Sequence, residues 1–359
     1  MRPALREIAI LFLKLGTIGF GGPAAHIALM EAEVVRRRGW LSHEEFLDLL
    51  GATNLIPGPN STEMAIHIGY RRAGFPGLMI AGACFILPAA LIVSAIAWFY
   101  VHYGALLRLD VILRSVKPVI IVVVLQALWA LTRTAVKTTL LAAVALASVI
   151  LSLAGVHELI VLLIAGVGCG IVGRVRQKSP ALLSVELLPL FLFFLKVGSI
   201  LFGSGYVLLA FLRADLVERW HWLSAGQLLD AVAVGQVTPG PVFTTATFVG
   251  YVLAGFPGAG VATLGIFLPA FIFVALSGSL VPRIRKSSAA GAVLDGVNAG
   301  SLALMAVVTW QLARSAVVDL PTMLLAIAGA VGIFVFRLNS VWLVAAAAIA
   351  GMLSYAFLS

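Results

Sequence analysis

Two Pro-Gly-Pro breaks, each followed by polar side chains, interrupt an otherwise strongly apolar chain. Residues 57–59 precede "NSTE" at 60–63, and residues 239–241 precede "VFTT" at 242–245. Proline ends a helix and glycine permits unusual dihedral angles, so each break predicts the start of a new helix. A helix N-terminus presents N–H groups and a partial positive charge, which is the chemistry of an anion site. A proline hinge capped by its own side chains is the alternative.

The candidate anion-binding residues gather around these breaks. Lys14 and Lys196 each lie in an apolar first helix, shortly before a glycine-rich break ("GFGGP" and "LFGSG"). Two cations that face one centre favour a dianion, although each lysine is also placed to snorkel to the membrane interface. The predicted anion-binding set is Lys14, Lys196, Asn54, Gln236, Asn60, Ser61, Thr62, Thr244, Thr245, Gly21, Gly22 and Gly203. The predicted structural breaks are Pro23, Pro57, Gly58, Pro59, Pro239, Gly240 and Pro241.

Composition places these polar groups in a membrane protein. The chain has 359 residues, of which 62% are hydrophobic and 11% charged. This leaves too little polar surface for a soluble protein of this size. Apolar runs such as Phe85–Val101 and Val341–Leu358 suit bilayer crossings. The basic residues behind the +9 net charge lie mostly between apolar runs, as in cytoplasmic loops. The sequence therefore predicts an all-α polytopic membrane protein in contact with lipid, and not a nucleic-acid-binding one.

The chain also aligns with itself at a shift of 182 residues. "FLKLGTIGFGG" at 12–22 matches "FLKVGSILFGS" at 194–204, and the two Pro-Gly-Pro breaks coincide. Past the breaks the shift becomes 181, and "AGFPG" at 73–77 matches 254–258. This register predicts two homologous halves, 1–178 and 179–359, which we call the first and the second half.

Loop charges predict that the two halves have inverted topology. Arg71–Arg72 match Val252–Leu253, whereas the uncharged turn at 100–104 matches a turn that contains Arg283, Arg285 and Lys286. Because positive loops mark the cytoplasmic side, each half must cross the membrane an odd number of times. We expect about five transmembrane helices per half, plus a broken Pro-Gly-Pro hairpin that is either re-entrant or spanning. Inverted repeats are typical of secondary transporters, and a passive channel is the competing function.

Three titratable side chains are candidates for coupling to protons. Glu63 has no acidic counterpart in the second half, and it is either a coupling carboxylate or a helix cap. His26 follows "GGP" and His67 lies beyond the first break, where either can titrate or simply form a hydrogen bond. The sequence contains no P-loop, GxSxG, HExxH or Cys/His metal motif. We therefore predict no catalytic residues, no cofactor and no resident metal.

These motifs resemble those of the chromate ion transporter family. The resemblance lies in "FGGPAAHIALM" (20–30), "RRRGWLS" (36–42) and "PGPNSTEMAIHIGYRRAGFPG" (57–77), and in their second-half versions around "GQVTPGP" (235–241). It implies a long-chain, two-domain member in the bacterial inner membrane. It implies export of chromate, or of a related tetrahedral oxyanion such as sulfate, by an antiporter that the proton motive force drives, conferring chromate resistance. A homodimer is left open as its assembly.

The family motif also points to particular positions of this chain. In the first half these are Gly21, Gly22, Pro23, His26, Trp40, Pro57, Gly58 and Pro59; in the second they are Gly203, Trp222, Gln236, Pro239, Gly240 and Pro241. Two positions depart from the motif. Asn54 stands where the second half has Gln236, and "FGSG" replaces "FGGP". The two halves are therefore expected to differ chemically at their breaks.

Overall fold

The computed structural model describes the chain as a bundle of helices. The described residues are 3–20, 22–53, 56–103, 109–135, 138–154, 156, 158–167, 187–201, 208–284, 288–336, 338 and 340–358. In the first half the helices are α1 (Pro3–Ile18), α2 (Gly22–Glu31) with π-helical turns over Ala32–Arg37, α3 (His43–Thr53), α4 (Asn60–Tyr103), α5 (Leu109–Ala135), α6 (Thr139–Leu153) and α7 (Glu158–Val167). In the second half they are α8 (Leu187–Ile200), α9 (Leu208–Phe211) with π-helical turns over Leu212–Arg219, α10 (Ala225–Val237), a 3-10 turn over Val242–Thr244, α11 (Thr245–Ile284), α12 (Ser288–Ala316), α13 (Leu320–Phe334) and α14 (Ser340–Leu358). No strand occurs within these ranges, and the all-α prediction is confirmed.

Several of these helices have the length and composition of membrane spans. Among the described residues, the segments Asn60–Tyr103, Val242–Ser277 and Asp295–Ala316 are long and apolar enough to cross a membrane. Shorter apolar helices cover Thr139–Leu153, Leu187–Ile200, Leu320–Phe334 and Trp342–Leu353. The number of crossings in each half stays a prediction.

Helix α4 folds back on itself at Gly74. Ala73 (φ −147°, ψ 23°) and Gly74 (φ 63°, ψ −151°) both leave helical geometry. The second of these conformations lies in the left-handed region that glycine adopts without strain. The break divides α4 into a short arm, 60–72, and a long arm, 75–103. A chain that reverses here can bring both arms into contact.

Glycines line the contact between these two arms. A Cβ atom on Gly69 would lie 2.3 Å from the Gly77 carbonyl oxygen, so a larger residue would force the arms apart. In α11 the same arrangement recurs. Gly255 has φ 62° at the reversal, and a Cβ atom on Gly250 would lie 2.3 Å from the Gly258 carbonyl oxygen. Both halves therefore contain a long helix folded into two packed arms.

The segment that precedes each folded helix forms further hairpins. Lys14 Nζ on α1 lies 3.1 Å from Glu33 Oε1 in the π-helical turns after α2, although 19 residues separate them. α1 and α2 must therefore run in opposite directions, and the chain reverses between Ile18 and Gly22. Arg71 on the short arm of α4 lies 2.9 Å from Glu45 at the start of α3. α3 and the short arm thus form a second hairpin, whose turn is the Pro57–Pro59 break.

The open ends of these two first-half hairpins lie on one side. Arg72, at the end of the short arm, pairs with Glu7 near the start of α1 at 3.1 Å. The Arg72 guanidinium also lies over the Trp40 ring, 5.1 Å from its centroid, and that of Arg38 lies 5.2 Å from the same centroid. The open ends of both hairpins therefore share one basic surface, and their turns lie at the opposite end.

Apolar packing joins the two halves close to the first break. Ile56, Ile66 and Leu78 of the first half form one buried cluster with Ala270 and Val274 of α11. Burying an aliphatic side chain of this size stabilises a soluble fold by about 1.5–3 kcal/mol. In lipid, close packing of complementary helix surfaces provides a larger share of the stabilisation. This contact fixes the long arms of α4 and α11 against one another around the breaks.

Candidate functional site

The two Pro-Gly-Pro breaks exchange backbone hydrogen bonds with the opposite half. Gly58 N–H donates to the Leu201 carbonyl at the end of α8, and Gly240 N–H donates to the Gly19 carbonyl after α1, both at 2.8 Å. The two donors are 182 residues apart in sequence, and so are the two acceptors, so the same contact occurs once at each break. Both donor glycines have positive φ, 139° and 86°, and a Cβ atom on Gly240 would lie 2.5 Å from the Ala89 Cβ atom. Glycine is needed here because the backbones approach closely.

His26 lies at one of these two junctions. Its Nε2 atom lies 2.9 Å from the Gly19 carbonyl oxygen, which also accepts from Gly240 N–H. The ring is 2% exposed and makes an edge contact with Phe85, with centroids 5.4 Å apart. The second-half position at a shift of 182 is Leu208, so this polar junction has no equivalent there.

Beyond the first break, the short arm of α4 begins with buried polar residues. Thr62 and Glu63 are 0% exposed, and Ser61 and His67 are 3% and 6% exposed. Neither Glu63 carboxylate oxygen has a hydrogen-bond partner among the described residues. The alternative that Glu63 caps the helix is therefore wrong, because a capping carboxylate must accept a backbone N–H. The first turn instead has Thr62 and Glu63 N–H groups donating to the Pro59 carbonyl, at 2.8 and 3.0 Å.

The second break is followed by hydroxyl side chains whose protons are already engaged. Thr244 and Thr245 hydroxyls donate to the carbonyls of Pro241 and Val242, both at 2.8 Å, and both residues are buried. A small cavity opens beside them, lined mainly by aliphatic side chains of α9, of the π-helical turns that follow α9, and of α10. Its polar lining consists of Gln236 and Thr245. Among the described residues, this break therefore presents neutral polar groups.

The two candidate lysines lie on hairpin arms, each paired with a carboxylate. Lys14 pairs with Glu33, whose carboxylate also accepts from Arg37 at 2.9 Å and Arg38 at 3.3 Å. Partial burial alone would raise the pKa of Glu33, but these three cations together lower it to about 2. With three cations to one carboxylate, the cluster keeps a positive charge at neutral pH.

Lys196 repeats this pairing in the second half. Its Nζ atom lies 2.9 Å from Asp215 Oδ2, and Arg219 lies 2.7 Å from Asp215 Oδ1. The Asp215 side chain is 2% exposed, and these two cations pair with its buried carboxylate. Glu33 and Asp215 are 182 residues apart, like the lysines they bind. A search of the repeat for matched acidic positions would have identified both, although the residue types differ.

The sequence did not predict a further, buried ion pair, which joins the two halves. Lys117 on α5 lies 3.0 Å from Asp230 Oδ1 on α10, and the Tyr100 hydroxyl donates to Asp230 Oδ2 at 2.9 Å. The repeat register matches Asp230 with Asp48, but it does not predict the cluster, because the counterparts of Lys117 and Tyr100 at a shift of 181 are Asn298 and Val281.

The structure thus brings most of the predicted residues to the two breaks. Gly22 begins α2 with φ 75°, Pro23 follows it, and Asn60 opens the short arm of α4. Asn54, Gly21 and Gly203 lie outside the described residues. Lys14 and Lys196 stand on the arms, about one helical turn before the break that ends each first helix.

Comparison with known proteins finds relatives over nearly the whole chain. The model of the chromate transporter family matches residues 6–173 and 188–352. The chain is 32% identical to the chromate transport protein of Cupriavidus metallidurans, over 99% of the chain and 94% of that protein. It is 31% identical to the probable chromate transport protein of Synechococcus elongatus, over 90% and 88%, and 28% identical to the chromate transport protein of Pseudomonas aeruginosa, over 96% and 91%. No solved structure matches.

Apolar helices broken at two glycine-rich centres, together with these relatives, define a multi-pass membrane transport protein. The chain belongs to the chromate transporter family, which its family match and full-length relatives show. This confirms the family that the sequence motifs resemble.

Proposed function

We propose that this chain is a secondary active transporter that exports chromate, or a related tetrahedral oxyanion such as sulfate, across the bacterial inner membrane. The relatives named as chromate transport proteins support the substrate class. The observation that carries the mechanism is the reciprocal contact of Gly58 with Leu201 and of Gly240 with Gly19. Two broken helices that meet in this way can hold one anion between their N-termini. Export that the proton motive force drives would confer chromate resistance.

We further propose that the halves 1–178 and 179–359 are inverted repeats. The first-half hairpins open beside Arg72, at the start of the long arm of α4. Lys117, by contrast, contacts Asp230 and the start of α10. Asp230 also accepts a hydrogen bond from Tyr100, which lies at the other end of the long arm of α4. From residue 75 to residue 100 an α-helix rises about 38 Å, roughly the thickness of a bilayer. The hairpins of the two halves therefore enter from opposite faces.

The lysine clusters serve this function by attracting the oxyanion to the hairpins. Glu33 neutralises one of three cations, and Asp215 neutralises one of two, so both clusters remain positive. Positive potential along an entry path raises the local concentration of an anion and its association rate. We place Lys14 and Lys196 in this role, and the break residues from Asn54 to Thr62 and from Gln236 to Thr245 in contact with the anion.

The experiment is chromate uptake into inside-out membrane vesicles that contain the protein. We expect uptake that an uncoupler abolishes and that sulfate reduces by competition. Vesicles lacking the protein are the baseline, and vesicles with a Glu44→Gln variant, altered on an exposed surface, are the matched control. Folded protein without uptake would refute the proposal. Unitary currents that persist with the uncoupler would instead establish a passive channel.

A further inference from the structure

Glu63 combines complete burial with a carboxyl group that no described residue satisfies. It is 0% exposed, and neither of its oxygens has a hydrogen-bond partner within the described part of the chain. No described lysine or arginine forms an ion pair with it. These surroundings favour the neutral acid, because an unpaired carboxylate is strongly unfavourable away from water. The partial positive charge of the helix N-terminus offsets only a small part of that cost.

The carboxyl group lies against the first break. A Cβ atom on Gly58 would lie 2.3 Å from Glu63 Oε1, so the side chain occupies the space that glycine leaves open. A neutral carboxyl group has one O–H donor, and this donor has no acceptor among the described residues. A buried donor without an acceptor is costly. Because the donor lies beside the N-terminus of the short arm, an oxyanion is the acceptor that suits this position.

The Thr62 hydroxyl is a second donor without a partner at the first break. Thr62 is 0% exposed, and its Oγ1 atom makes no hydrogen bond within the part of the chain that the structure describes. At the second break the hydroxyls of Thr244 and Thr245 already donate to backbone carbonyls. The two breaks therefore differ in the side-chain donors that they leave for a ligand.

The groups packed around the carboxyl group provide no charge to pair with it. Two histidines lie in the same region: His67 is one turn further along the short arm, and His26 lies against the Gly19 carbonyl through its Nε2 atom. Neither forms an ion pair with the carboxyl group. From the second half, the Leu201 carbonyl and the Ala270 methyl group lie against the break.

We propose that Glu63 binds the transported oxyanion as a neutral acid, by donating its O–H group to an oxygen of the oxyanion at the first break. The inference rests on the proposed function, and the Thr62 hydroxyl donates beside it. Enzymes use a carboxylic acid kept neutral by an apolar site in the same way, as a donor to an oxyanion. Because the group is neutral before and after the oxyanion binds, it exchanges no proton on binding. This role therefore neither requires nor opposes proton-driven export.

The test measures binding of sulfate and chromate to the purified full-length protein by calorimetry at about pH 8, where both are dianions. Glu63→Gln keeps a neutral donor of nearly the same shape, so its dissociation constant should lie within about fivefold of that of the unaltered protein. Glu63→Met keeps the length of the side chain but has no donor. Its binding should be weaker by about 10- to 100-fold, the effect of losing a hydrogen bond to a charged group. The same two changes at Glu44, exposed on α3, should leave the affinity unaltered.

Three outcomes of these titrations would overturn the proposal. One is binding by Glu63→Met with the affinity of the unaltered protein. Another is loss of binding in a folded Glu63→Gln protein, because a neutral donor would then be insufficient. The third comes from titrations in buffers of different ionisation heat, where the unaltered protein and Glu63→Gln should exchange the same number of protons. A proton taken up by the unaltered protein alone would show that Glu63 is charged before the oxyanion binds.

Infrared difference spectra of the unaltered protein test the inference independently of how a variant folds. A neutral carboxyl group has a carbonyl stretching band that carboxylates lack, and donation to bound sulfate or chromate should shift this band to lower frequency. Glu63→Gln, which has no carboxyl group at this position, should lose the shift. Oxyanion binding without the shift would refute the role of Glu63 while leaving the proposed function intact. Absence of both sulfate and chromate binding would refute the proposed function, and the inference with it.

Discussion

The buried ion pair between Lys117 and Asp230 predicts a large and specific loss of stability when one partner is removed. The two side chains are 19% and 7% exposed and lie 3.0 Å apart. Removing one member of such a pair costs about 3–5 kcal/mol, because the other charge is left buried. For Lys117→Met we expect about 3 kcal/mol, the lower end, since Tyr100 still donates to Asp230.

The reverse variant should cost less. In Asp230→Asn the lysine keeps a partly exposed position and can turn its ammonium group toward solvent, so we expect about 1–2 kcal/mol. The double variant Lys117→Met with Asp230→Asn should be about 2 kcal/mol more stable than the sum of the single changes, because neither charge is then left alone.

The assay is unfolding of the purified protein in mixed micelles of rising SDS content, followed by tryptophan fluorescence. Arg114→Met, on the same helix α5, removes the exposed pair with Asp319 and is the matched control, with an expected cost below about 1 kcal/mol. The reasoning is refuted if Lys117→Met is as mild as this control, or if the costs of the two single changes are additive within about 0.5 kcal/mol.

Three further predictions concern the hairpins. Lys14→Ala and Lys196→Ala should each reduce vesicle uptake of chromate, with Lys→Arg sparing part of it; normal uptake by both alanine variants would confine the lysines to an interfacial role. Gly69→Ala should lower stability by about 3 kcal/mol, the upper end for overpacking, because the close atom is a backbone carbonyl oxygen. Gly74→Ala, with open space around it, should cost only about 1–2 kcal/mol for its positive φ, and equal losses in SDS unfolding would contradict this. Since cations lower the pKa of Glu33 to about 2, its charge stabilises the fold fully above about pH 4.5 and loses this effect as pH falls toward 2. The difference in melting temperature between the unaltered protein and Glu33→Gln should therefore shrink over that range, and a constant difference would refute the assignment.

Much of this architecture follows from local sequence. The Pro57–Pro59 and Pro239–Pro241 breaks end helices wherever they occur, because proline lacks a donor and clashes with the preceding turn. The match at a shift of 182 likewise paired the positions that form equivalent backbone contacts, Gly58 with Gly240. Hydropathy alone identified the helical membrane class, since a long apolar run can satisfy its backbone polar groups in lipid only as a helix or a closed barrel.

The acidic partners lay beyond local sequence reasoning. Glu33 meets Lys14 across a hairpin, and Asp230 meets Lys117 across the two halves, so both contacts depend on how the chain reverses direction. The sequence by itself determined where the helices break and that the breaks are paired. Only the tertiary structure decided that each lysine shares a carboxylate with neighbouring arginines on the arms and that Glu63 is buried at the break. The physical reason is that helix propensity acts within a few residues, whereas the environment of a charge is set by whichever distant helices pack around it.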